Sequence, residues 1–93
     1  MNQEQKNQIV HRLIDVANEI TAGGDASPAT VSSGLMMACA VYSTYVVTGN
    51  DGALRESGIE KLSKLFREEL AFVQKRKIEQ AKNAGKDVSA AEE

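Results

Sequence analysis

From Asn7 to Thr21 the apolar residues Ile9, Val10, Leu13, Val16, Ala17 and Ile20 share one face at about 100° per residue, with Arg12, Asp15, Asn18 and Glu19 on the other. This pattern predicts an amphipathic helix. Gly23-Gly24 should end it, because glycine accepts the left-handed conformation that commonly closes a helix. Ser27-Pro28 then restarts the chain: serine can accept from free backbone N–H groups, and proline at the first helical position loses no hydrogen bond.

The second helix is expected from Pro28 to about Thr48. Its strongest face holds Val31, Gly34, Leu35, Ala38, Cys39, Tyr42, Tyr45 and Val46, while Met36, Met37, Ala40 and Val47 are apolar on the far side. A helix greasy nearly all round is expected to be buried between neighbours. Its valines would suit a strand, but no second strand-like segment is available to pair with it. Gly49-Asn50-Asp51-Gly52 stops this helix, and Asp51 is placed to cap the next.

A third helix is expected from Gly52 to about Ala84, roughly 33 residues or 50 Å. Ile59, Leu62, Phe66, Leu70 and Val73 form a main stripe, expected to fill the groove over the first two helices. Leu54, Leu65 and Phe72 form a lesser stripe roughly 120° away, and an overhang carries Ile78 and Ala81. Neither has a partner in a monomer of this size, so a homodimer is expected, its interface using Leu54, Leu65, Phe72 and Ile78 with Met36, Met37 and Val47 from helix two. The bland alternative leaves Leu65 and Phe72 as isolated surface residues on a monomer. The fold class is thus all-α: a helical hairpin plus a long third helix, associating as a homodimer bundle.

Composition adds bounds to this picture. Ninety-three residues suit a single domain over residues 7–84, with polar or small-residue tails at 1–6 and 85–93 expected to be flexible. A net charge of −2 gives no global field for nucleic acid or anionic membrane. The apolar stretch from Gly34 to Val47 is about 14 residues, short of the roughly 20 that cross a bilayer, and the first residues lack a secretory pattern. No membrane association and a cytoplasmic location are expected. One cysteine, Cys39, forms no intrachain disulfide and suits a reducing compartment.

The chain also resembles a family of short bacterial helical proteins with no assigned function. The resemblance covers residues 10 to 72 and is carried by Asp15-Val16-Ala17-Asn18, by Val31-Ser32, Leu35-Met36 and Ala38 to Tyr42, and by Ile59-Glu60 with Phe66 to Leu70. It implies a bacterial, cytoplasmic protein.

Little in the sequence carries chemistry. His11, Asp15 and Glu19 form a row of metal-binding types, but a straight row covers one side of an ion, so a solvated polar face is the expected reading. Cys39 reads as a small core residue, and no nucleophile sits in a catalytic motif. Tyr42 and Tyr45 could line a small pocket with Met36 or Met37, although core tyrosines with satisfied hydroxyls are commoner. Lys75, Arg76, Lys77 and Lys82, joined by Lys86, make a basic patch that could contact phosphate; cations near a helix C-terminus and the absence of interleaved aromatics favour a solvated end. No catalytic residue, cofactor or metal is expected. The functional expectation is a non-enzymatic, self-associating interaction or adaptor protein, with an unidentified protein partner as a further option. The alternative is a nucleic-acid-associated protein using the basic end of helix three.

Overall fold

The computed structural model describes residues 2–49 and 52–85, and these form three α-helices: α1 (Gln3–Ala22), α2 (Pro28–Thr48) and α3 (Glu56–Asn83). No strand occurs among the described residues. The all-α, three-helix reading holds. Contacts along the chain divide it after Gly52 into a two-helix unit and a unit holding α3.

In the first unit α1 begins earlier than the hydrophobic pattern shows, and residues 3–6, expected to be flexible, are helical. Asn2 explains the difference: its side-chain oxygen accepts from the Gln5 N–H at 2.7 Å, and its carbonyl accepts from Lys6 N–H at 3.2 Å. Capping supplies partners for N–H groups that the first turn leaves unbonded, so a polar segment can be helical without an apolar face. At the other end Gly23 stays right-handed and Gly24 takes the left-handed conformation, at φ +80. The turn therefore uses the second glycine.

Ser27 and Pro28 start α2 as their residue types require, with the Thr30 N–H donating to Ser27 Oγ at 3.2 Å and Pro28 in the first turn. α1 and α2 touch each other. Ala17 is the only buried residue among those described, at 8% exposure; the partly covered Thr21, Ala26 and Val31 flank the turn between these helices. Beyond Val31 only Ser43, Thr44 and Thr48 of α2 are partly covered, and its other residues are exposed. The expected buried helix is not seen: Met37 is 66% exposed and Tyr42 69%. Burial needs neighbours on several sides, and within this unit α2 has only α1.

The second unit also departs from expectation at its start. α3 begins at Glu56, four residues after Gly52, and Arg55 at its N-cap makes no side-chain capping bond. Asp51, expected to be that cap, lies outside the described residues, as do residues 86–93 of the expected tail. Leu54 instead folds over the first turn, where a Cβ on Gly58 would meet Leu54 Cδ2 at 3.0 Å. Glycine at 58 lets the leucine lie close. The main stripe, expected to fill a groove, is open at four of its five positions, with Ile59 46%, Phe66 49%, Leu70 58% and Val73 49% exposed, while Leu62 is half-buried.

Two substitutions test the turn between α1 and α2. Ser27→Ala removes the cap of α2 and is expected to cost about 1 kcal/mol, and Gly24→Ala forces a Cβ into a left-handed residue at a cost of about 1–2 kcal/mol. Urea denaturation followed by circular dichroism measures both; an unchanged midpoint for either removes its assigned role.

Candidate functional site

The polar row on α1 does not build a site. Among the described residues no group of three or more His, Cys, Asp or Glu side chains is placed to hold a metal ion. His11, Asp15 and Glu19 follow the helix axis at four-residue intervals, and no ligand from another element joins them. A tetrahedral ion needs ligands from several directions.

The cysteine and tyrosines also differ from their expected roles. Cys39 is exposed, with its Sγ 3.9 Å from Ser43 Oγ, and is not a core residue. Tyr42 and Tyr45 stand on the open surface of α2 as an edge-to-face pair, ring centroids 6.4 Å apart, rather than within a core. Rings one turn apart reach each other along the helix, which gives them a mutual contact without any tertiary neighbour.

On α3 the basic residues Lys75, Arg76, Lys77 and Lys82 are all exposed. The Arg76 guanidinium carbon lies 5.8 Å from the centroid of the Phe72 ring. That cation–π contact joins a member of the basic patch to a residue of the expected interface and occupies one ring face. The guanidinium N–H groups, which lie in its plane, are not used by this contact.

The apolar residues expected at an interface are found in both units. Met36 (54%), Met37 (66%) and Val47 (60%) are open on α2, and Leu65 (48%) and Phe72 (54%) are open on α3. Leu54 and Ile78 are half-buried. What the two sets share is exposure without a covering element of their own unit.

One feature of α2 escaped the sequence reading. Ala40, Val41, Thr44, Tyr45, Gly49 and Gly52 line an open hollow of about 510 Å³ on the C-terminal half of the helix. The available signal was the spacing: residues 40, 41, 44 and 45 are two adjacent pairs one turn apart, with alanine and threonine low enough to leave a depression between valine and tyrosine. No charged group lines it.

α2 carries no Asp, Glu, Lys, Arg or His, and its best stretch has a mean hydropathy of 1.3. By length and composition this helix could cross a membrane. At about 31 Å it matches the hydrocarbon thickness that Gly34 to Val47 alone would fall short of, because the helix includes polar ends left out of the apolar stretch.

Comparisons with protein-family models, with curated proteins and with solved structures find no match. A reading of this protein therefore rests on its surface. For α1, the geometry predicts that micromolar zinc leaves the His11 imidazole resonances unmoved; a zinc-dependent displacement in NMR would show ligands that the single row does not supply.

Proposed function

We propose that this is a non-catalytic, cytoplasmic interaction protein that works as a homodimer. One observation carries the reading: among the described residues only Ala17 is buried, while large apolar side chains on all three helices remain about half or more exposed. A soluble helix draws most of its stability from covering an apolar face, and each such side chain is worth about 1.5–3 kcal/mol when fully buried. Open faces of this extent mark an interaction surface.

A bilayer is the other apolar environment that could cover α2. Its composition favours protein: the helix has one leucine and no isoleucine or phenylalanine, but six serines and threonines, three alanines and a glycine. Small and hydroxylated residues suit close helix contact, whereas a lipid-facing surface gains most from large aliphatic chains. Neither end of α2 carries an adjacent lysine or arginine as an interfacial anchor. A nucleic-acid role is supported only by the exposed basic residues near the end of α3, where Arg76 is held over Phe72.

Light scattering across a hundredfold range of concentration tests the proposal. A mass of twice the 10.0 kDa chain that persists on dilution is the expected result. A monomer throughout that range would overturn it, and an absorbance spectrum dominated by co-purified nucleic acid would favour the basic end instead.

A further inference from the structure

We propose that α3 carries a further binding surface, a row of cations that takes single-stranded nucleic acid, apart from the apolar faces on which the dimer reading rests. At about 100° per residue, Lys61, Lys64, Lys75, Arg76 and Lys82 fall within about 120° of the helix circumference. They are five of the seven lysines and arginines of α3, and only two of its five glutamates, Glu68 and Glu79, share that arc. Five positive charges against two negative give the arc +3 over roughly 30 Å of helix. All five cations are exposed.

This row lies opposite the main apolar stripe, about 160° round the helix from the mean position of its five residues. Whatever covers Ile59, Phe66 and Val73 therefore leaves the row in water. A metal site needs groups that converge, whereas a chain of phosphates is met by charges in line, each contact releasing a counterion.

Phe72 selects the kind of polyanion. Along the chain it precedes the basic run, but on the helix it stands in the same arc, about 60° from Lys75 and 40° from Arg76. Its ring is 54% exposed. With the Arg76 guanidinium carbon 5.8 Å from the ring centroid, the in-plane N–H groups are left to donate to a phosphate and the other ring face to stack an unpaired base. In a duplex the bases are stacked on one another, out of reach of the ring. A bilayer fits less well: an interfacial helix sinks its apolar face below the headgroups. Here Lys77 lies inside the main stripe with Glu69 beside it, so both charges would be carried in with Leu70.

The test measures the fluorescence anisotropy of a labelled oligothymidylate with the full-length chain, and helix content by circular dichroism. Binding is expected to weaken about twenty- to a hundredfold from about 50 to 200 mM salt, the dependence of three to five phosphate contacts on a single strand. Lys75→Gln with Lys82→Gln should weaken it about tenfold and make the salt dependence shallower. Arg67→Gln with Lys77→Gln removes the same charge outside the row and should leave the affinity within about twofold. Glutamine favours helix nearly as well as lysine and arginine, so both pairs keep their helix content. Equal losses from the two pairs would overturn the row. Phe72→Leu should cost about fivefold or more with the salt dependence unchanged, and no loss there, or a duplex bound as tightly as the single strand, would overturn the single-strand assignment. No binding at about 50 mM salt would overturn the proposal, as would sedimentation with phosphatidylcholine–phosphatidylglycerol vesicles in its place, which would assign α3 to lipid.

Discussion

Everything about this chain turns on the charge-free surface of α2. A helix of 21 residues without an Asp, Glu, Lys, Arg or His gains from having its surface covered, because exposed apolar area costs about 25 cal/mol for each Å² left in water. α1 covers the part beside the turn and little else. The remaining demand for cover organises the reading of its other features, including the depression at its C-terminal half.

The helices themselves are secured by local devices that need no core. Asn2 and Ser27 supply acceptors at the starts of α1 and α2, Gly24 reverses the chain, and Leu54 lies over Gly58 at the start of α3. Thr21 and Thr48 turn their hydroxyls back onto the carbonyls of Ala17 and Thr44, at 2.9 and 2.8 Å. These bonds specify where helices begin and end. They contribute little to holding one helix against another, and that separation between local definition and tertiary cover leaves well-formed helices with open surfaces.

Polar chemistry follows the same division. The His11, Asp15 and Glu19 row and the basic residues near the end of α3 are products of helical periodicity on solvated faces, where unlike elements do not converge. Convergence is what a catalytic or metal site requires. The contact between Arg76 and Phe72 is likewise local, between residues one turn apart.

The sequence by itself determined the three helices, the end of the first at the glycine pair and both limits of the second, because periodicity, caps and glycine act over a few residues. It located the excess apolar surface on α2 and α3, including Met37, Leu65 and Phe72. It misplaced the starts of α1 and α3, since Asn2 and Leu54 act through contacts that hydrophobic spacing does not register. Burial was decided only in three dimensions. Apolar composition led to a buried α2, a core Cys39 and core tyrosines, but burial depends on how many neighbours a helix meets, and α2 meets α1 only near their turn. The hollow beside Tyr45 is tertiary for the same reason: its walls join helical side chains to the backbone at Gly49 and Gly52, and no periodicity places those glycines beside Ala40.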